Sequence, residues 1–232
     1  MPTLAFSERR ARLTDYFDRT AAETWARLTS DAPVSKIRET VRAGRARMRA
    51  LLLERLGGDL AGRTVLDAGC GTGALAVEAA RSGADVAAVD VAGSLVSLAA
   101  ERAGDTAPGR VRFSVGDMLD PALGVFDHAV AMDSLIHYPK AEIARALAAL
   151  APRIARSLLF TFAPATPALQ LMHAAGGLFP KADRAPAIEP VALGALSRAL
   201  AAEPALASFT LRPIGRVQAG FYISHAMELA RR

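Results

Sequence analysis

Cysteine is almost missing from this chain: Cys70 is the one thiol in 232 residues. That excludes a disulfide framework and any cysteine-rich zinc site. Aromatic side chains are also few, with one tryptophan and three tyrosines. No internal repeat is visible. The opening residues, MPTLAFSERRARLTDYF, contain no apolar run long enough for a signal peptide, so a cytoplasmic setting is expected. One stretch, Ser157 to Pro180, carries no charge and has the length of a membrane-spanning helix. Pro164, Pro167, Pro180 and the Gly176-Gly177 pair punctuate it, and Thr, Gln and His add polarity. It reads as a buried strand, a turn and a short apolar helix.

What the chain does have is apolar mass and an uneven charge. A hydrophobic fraction of 52% fills a sizeable core, and the length suits one domain with an appended element. The net charge of +5 sits wholly in residues 1–56, where 12 basic residues face 7 acidic ones, while the remainder is balanced. Such asymmetry points to an anionic partner: nucleic acid, an anionic membrane or an acidic small molecule.

The first 56 residues read as helical. Leu13, Phe17 and Leu28 with Tyr16 and Trp25 form one amphipathic stretch, and a second runs from about Ser35 to Leu56, stopped by Gly57-Gly58. Arg38, Arg42, Arg45 and Arg49 fall three or four apart and share a face of that second helix. From Arg63 the texture changes to short apolar runs alternating with helical segments: TVLDAG, LAVEAARSG, DVAAVD, SLVSLAAERAG, VRFSVGD, FDHAVAMDS, a helix over Ala141–Ala151, and SLLFTFAP. This alternation is the signature of a mostly parallel, doubly wound α/β sheet. At the end, Phe209–Val217 and Phe221–Leu229 flank Gln218-Ala219-Gly220 and read as an antiparallel hairpin. The expected organisation is therefore a helical arm over residues 1–56 and an α/β domain over 57–232. Pro164, Pro167, Pro180, Pro186 and Pro190 mark residues 163–190 as a long insertion. It follows the fifth strand, where such sheets place their ligand crevice, and it reads as a substrate cover.

The strongest motif is Val65-Leu66-Asp67-Ala68-Gly69-Cys70-Gly71-Thr72-Gly73, a buried strand running through a glycine-rich turn into a helix. Glycines allow a sharp turn and close approach of a ligand to the backbone. The spacing G-x-G-x-G differs from the dinucleotide fingerprint, and Asp67 would repel a pyrophosphate while favouring a cationic ligand. Two more strand-end acids follow. Asp90 suits the two hydroxyls of a ribose, and Asp117 suits an adenine amino group, with Met118 packing on the ring. Any one of these acids alone would more often be a helix cap; three in order after a glycine turn form a constellation.

That constellation resembles the S-adenosylmethionine-dependent methyltransferase superfamily over about residues 60–160. The fold implied is a Rossmann-like class I methyltransferase sheet closed by the C-terminal antiparallel hairpin, under an N-terminal helical cover. The cofactor set implied is Asp67, Gly69, Cys70, Gly71, Gly73, Asp90, Val91, Asp117, Met118 and Asp133. The fourth strand ends in Asp133-Ser134-Leu135-Ile136-His137-Tyr138-Pro139. The Asn-Pro-Pro-Tyr type turn of DNA and protein-amide methyltransferases is missing here, which disfavours a nucleic-acid base as substrate. His137 on this loop is a better functional candidate than His128 or His173, which read as packing or surface residues.

Tyr16-Phe17 with Trp25, the basic helix over Ser35–Met48, the Asp133–Pro139 loop and Leu178-Phe179-Pro180 through Arg184-Ala185-Pro186 together look like the magnesium protoporphyrin IX O-methyltransferase family. The resemblance implies transfer of the methyl of S-adenosylmethionine to one propionate of the magnesium porphyrin in chlorophyll or bacteriochlorophyll synthesis, with S-adenosylhomocysteine released. It places a catalytic Tyr and His at Tyr16 and His137. Trp25, Arg38, Arg42, Arg45, Tyr138, Leu178, Phe179 and Arg184 are the candidates for the porphyrin and its carboxylates, with Leu169, Leu171 and Met172 as further apolar wall. No protein-bound metal is expected. The same resemblance brings in the porphyrin-binding subunit of magnesium chelatase and a peripheral photosynthetic membrane as partners, and no nucleic acid. Two other readings stay open at this point: a methyltransferase acting on another acidic or quinone-like small molecule, and a basic binding module with a vestigial cofactor site.

Overall fold

The structure, a computed structural model, describes residues 36–165 apart from 105 and 107, and residues 188–232. Within the first 35 positions it describes Glu8, Arg9, Ala11, Thr14, Tyr16 and Asp18, all in helical backbone. Trp25, Leu169, Leu171, Met172, His173, Leu178, Phe179 and Arg184, and with them most of the expected cover, lie outside the described residues.

The apolar runs form the strands that the alternation predicts. They are β1 (Thr64–Ala68), β2 (Asp85–Asp90), β3 (Arg110–Val115), β4 (Phe126–Ala131) and β5 (Ile154–Phe162). The hairpin is β6 (Phe209–Ala219) and β7 (Tyr222–Arg231). The helices are α1 (Lys36–Leu56), α2 (Ala74–Arg81), α3 (Gly93–Arg102), α4 (Lys140–Leu150) and α5 (Leu193–Ala201). The seven strands lie in the order β3-β2-β1-β4-β5-β7-β6. β1 to β5 are parallel, and β7 enters antiparallel between β5 and β6. The central strands are apolar on both faces because each face is covered: Leu66, Phe160, Leu147 and Leu200 share one core, and Val65, Leu159, Met48 and Leu52 the other.

Boundaries shift by a few residues from the sequence expectation. β5 starts at Ile154 rather than Ser157 because Ile154 itself is buried. β6 accommodates Pro213 because it is an edge strand, with a register shift between Pro213 and Gly215. His128 is a packing residue, as expected: it is buried and its Nδ1 shares a 2.8 Å hydrogen bond with Ser157 Oγ.

α1 spans the range that the periodicity predicts, and it packs on β6, β7 and α2. Its buried stripe is Gly44, Met48, Leu52 and Leu56, at the four-residue spacing of one helix face. Ile37 falls off that stripe and is exposed. A Cβ at Gly44 would stand 2.5 Å from the Tyr222 ring, so glycine there lets the helix lie flat on β7. Arg49 pairs with Glu78 of α2 at 2.7 Å and Arg55 pairs with the buried Glu228 of β7. Leu52 is fully buried. Leu52→Ala is expected to cost about 2–5 kcal/mol, read as a lower denaturant midpoint at unchanged slope. Among the described residues no helix is long and apolar enough to cross a membrane.

Candidate active site

A cleft opens over the C-terminal ends of the central strands, where open α/β sheets bind ligands. The motif turn forms its floor. Gly69 and Gly71 have φ of 87° and 53°, a region that a side chain rarely adopts. A Cβ at Gly69 would come within 2.3 Å of Ser134 Cβ, whereas beside Gly71 nothing lies within 4 Å. The first glycine is demanded by a neighbour, and the second leaves open room along the backbone. The N–H groups of Gly69 and Cys70 donate to Val89 O, which fastens the turn to β2.

Asp90 closes the next wall. Its carboxylate accepts from the Gly71 N–H at 2.8 Å and from the Ala92 N–H at 2.9 Å. Burial raises its pKa, against the pull of these N–H groups. Val91, Asp117 and Met118 line the same cleft. Asp117 caps its own turn through the Leu119 N–H at 2.9 Å. Arg153 holds this loop by donating to the carbonyls of Met118 at 2.9 Å and Asp120 at 2.8 Å.

Asp67 lies directly beneath, 2% exposed. Burial first, then the nearby Asp90, push its carboxyl up to about 7, while the Ala76 N–H and Arg45 pull the other way. Its Oδ2 is buried without a hydrogen-bond partner, and so is Ser134 Oγ. Burial also pushes the Cys70 thiol up, with Asp67 and Asp90 adding to the effect, which disfavours the thiolate. Asp67, Cys70 and Gly73 stand behind the cleft surface rather than in it.

The far wall is the loop after β4. Asp133 has a φ of 57°, the one non-glycine in the left-handed region among the described residues. Its strain is held by a network. Its N–H donates to Thr161 Oγ1 at 2.8 Å, and its carboxylate accepts from Thr161 at 3.1 Å and from Tyr222 at 3.1 Å. Ser224 donates at 3.4 Å, and Arg45 of α1 forms an ion pair at 3.0 Å. Asp133 therefore lines the cleft while its carboxylate is already engaged by the protein. Burial raises the Tyr222 pKa, and the Asp133 carboxylate adds to it, so Tyr222 serves as a donor. Ile136, His137 and Tyr138 continue the wall.

Of the residues singled out in the sequence, the structure brings Gly69, Gly71, Asp90, Val91, Asp117, Met118, Asp133, Arg45, His137 and Tyr138 to one cleft. Tyr16, Arg38 and Arg42 are described but are not part of its wall. Sequence reasoning missed Thr72, Leu95, Ser134 and Ile136 of the lining, and Tyr222 beneath it. Thr72 and Ser134 sat inside quoted motifs and were legible there; Tyr222 lies 89 residues from its partner Asp133 and gave no local signal.

The strand order with β7 inserted antiparallel, and a glycine turn flanked by acids at three strand ends, define a class I S-adenosylmethionine-dependent methyltransferase. Residues 65–156 match the family description "Methyltransferase domain", and residues 131–231 match "Magnesium-protoporphyrin IX methyltransferase C-terminus". The magnesium-protoporphyrin O-methyltransferase of Rhodobacter capsulatus is 49% identical over 96% of this chain and 97% of its own. The enzyme of the same name from Synechocystis is 33% identical over 72% of this chain and 74% of its own. Among solved structures, the magnesium protoporphyrin IX methyltransferase of Synechocystis with bound S-adenosylhomocysteine superposes with a TM-score of 0.82 at 29% identity, covering 96% of this chain and 99% of the other. The chain belongs to the magnesium protoporphyrin O-methyltransferase family.

Proposed function

We infer that this protein transfers the methyl group of S-adenosylmethionine to one propionate carboxylate of magnesium protoporphyrin IX, giving the monomethyl ester on the route to chlorophyll or bacteriochlorophyll. A new O–CH3 bond forms, the S–CH3 bond breaks, and its electron pair stays on sulfur in S-adenosylhomocysteine. The observation that carries the reading is near-full-length identity to a family member, joined to a cleft that fits the cofactor.

The fit is one of charge and room. Two buried oxygens without partners, Asp67 Oδ2 behind the cleft surface and Ser134 Oγ of its wall, adjoin the glycine turn, and Arg45 also lines the cleft. A zwitterionic amino-acid tail finds its ammonium answered by the first pair and its carboxylate by Arg45. Asp90 receives the ribose hydroxyls, and Asp117 with Met118 receives the adenine. Arg38, Arg42 and Arg184 are the cations assigned to the propionates, and Trp25, Tyr138, Leu178 and Phe179 the apolar wall for the macrocycle.

The chemistry asks for alignment more than for acid–base work. A propionate has a reference pKa of about 4.3 and is ionised at neutral pH. The protein's task is to place a carboxylate oxygen in line with methyl and sulfur and to exclude water. His137 orients the reacting propionate from the cleft wall, and Tyr16 closes from the arm. Docking at an anionic membrane surface belongs to the same reading. It is supported by Ile37 and Phe221, about half exposed, with Lys36 and Arg38 on the same end of α1 and the turn at Gly220 abutting Thr40. Hand-over from the porphyrin-binding subunit of magnesium chelatase rests on the family resemblance.

A pH test follows from Asp67. Its folded pKa of about 7 lies above the reference carboxylate value, so the unliganded protein holds an extra proton there between about pH 4 and 7. That contribution to stability is present at low pH and is lost as pH rises through 7. A cationic cofactor favours the carboxylate and expels the proton. Affinity for S-adenosylmethionine is therefore expected to fall by up to tenfold per pH unit below about 7, and Asp67→Asn to flatten the dependence. Calorimetry from pH 5.5 to 8 reads both.

A further inference from the structure

The strongest unassigned feature is a clamp behind His137. Arg9, on the N-terminal arm, donates from its Nη1 to the carbonyl of His137 at 3.1 Å and to Glu189 Oε1 at 3.2 Å. Its Nε faces Glu142 Oε2 at 3.7 Å; both atoms are buried and neither has a hydrogen-bond partner. Glu142 lies in the first turn of α4, directly after the His137 loop, and is 5% exposed. Glu189 also donates its backbone N–H to Ile136 O at 2.9 Å. Two consecutive carbonyls of the loop, those of Ile136 and His137, are thus held from segments distant in the chain.

The arm is pinned a second time, at α3. The N-cap residue of α3 is Ala92, which has no side chain to cap the helix. Asp18 supplies the cap instead, accepting from the Ser94 N–H at 2.9 Å and from Ser94 Oγ at 2.8 Å. Between these anchors in the chain stands Tyr16, seven residues from Arg9.

We propose that Arg9 is a positioning residue for methyl transfer: its guanidinium fork fixes the His137 loop against the arm that carries Tyr16, so that both side chains address one substrate. The proposal rests on the reading of His137 and Tyr16 as the catalytic pair. Arg9 touches the backbone of His137 and two carboxylates, none of them among the residues assigned to the cofactor, so its loss acts on geometry. The guanidinium matters because its Nη1 serves two acceptors while its Nε, held in the same plane, faces the buried Glu142 carboxylate as an ion pair, an arrangement that a lysine ammonium does not reproduce.

The test is a kinetic cycle on the full-length protein with S-adenosylmethionine and magnesium protoporphyrin IX, read as ester formation and accompanied by thermal midpoints. Arg9→Ala is expected to lower kcat by about tenfold to a hundredfold with KM for S-adenosylmethionine within about twofold of native. Arg9→Lys is expected to recover only part of the loss. In a Tyr16→Phe background, Arg9→Ala is expected to cost clearly less than it does alone, because one of the two groups whose mutual placement it sets is already gone. Arg9→Lys with native turnover overturns the proposal, as does loss of kcat that only tracks a lowered thermal midpoint. If Tyr16→Phe and His137→Ala each leave turnover unchanged, the catalytic reading falls and the role of Arg9 with it. If those two are impaired while Arg9→Ala is not, or while its effect multiplies undiminished in the double variant, the catalytic reading stands and the role of Arg9 alone is overturned.

Discussion

Gly69→Ala is expected to weaken binding of S-adenosylmethionine by about a hundredfold. Two costs arise. The φ of 87° is left-handed, which costs an L-residue roughly 1–2 kcal/mol. The new Cβ also stands 2.3 Å from Ser134 Cβ, a separation that neither side chain relieves by rotating. The turn and the Ser134 loop must part, and these are the floor and the far wall of the cleft. The φ strain falls on folding stability; the misplacement falls on binding, where a loss of about 2.7 kcal/mol is a factor of a hundred. Gly58→Ala is the control. Its φ of 70° carries the same strain with nothing within 4 Å, and it lies before β1, away from the cleft. It is expected to lower thermal stability and leave cofactor affinity unchanged; equilibrium binding of both variants reads the difference.

His137→Ala is expected to lower kcat by about a hundredfold while leaving cofactor affinity intact. The size follows from the task assigned to it. An ionised propionate needs no general base, so the loss is one of alignment, for which misplacement by about 1 Å costs roughly that factor. The shape of the pH profile separates this from proton transfer. If His137 only orients, the residual activity of the variant keeps the native pH dependence between pH 6 and 9. Loss of an ionisation near the ordinary histidine range would instead assign a proton to it. Tyr16→Phe tests the other half of the pair.

Much of this was readable before any coordinates. β1, β2, β4 and β5 follow from short apolar runs bounded by Gly and Asp, because a strand buried on both faces has no polar alternation to blur it. α1 was legible to within one residue, from an apolar period ending at Gly57-Gly58. The glycine turn, Asp90 and Asp117 were legible because each is a local pattern at a strand end. The partners of the charges were not. Arg45 was read as a porphyrin ligand, and its ion pair with Asp133 spans 88 positions that no helical period encodes. Arg49 and Arg55, part of the basic excess in the first 56 residues, bind Glu78 and Glu228 and fasten α1 to α2 and β7. Part of the N-terminal charge thus holds the helix in place. Asp133 was singled out for the cofactor from its strand-end position; its network with Thr161, Tyr222 and Ser224 exists only because β5 and β7 are neighbours in the sheet.

The most direct measurement is incubation of the purified protein with S-adenosylmethionine and magnesium protoporphyrin IX, with the products read by mass. The account predicts a porphyrin heavier by one methylene, matched mole for mole by S-adenosylhomocysteine. It also predicts a shift of the porphyrin absorption on binding. Cofactor binding with no ester formed, or methylation confined to a different acidic or quinone-like acceptor, would contradict it.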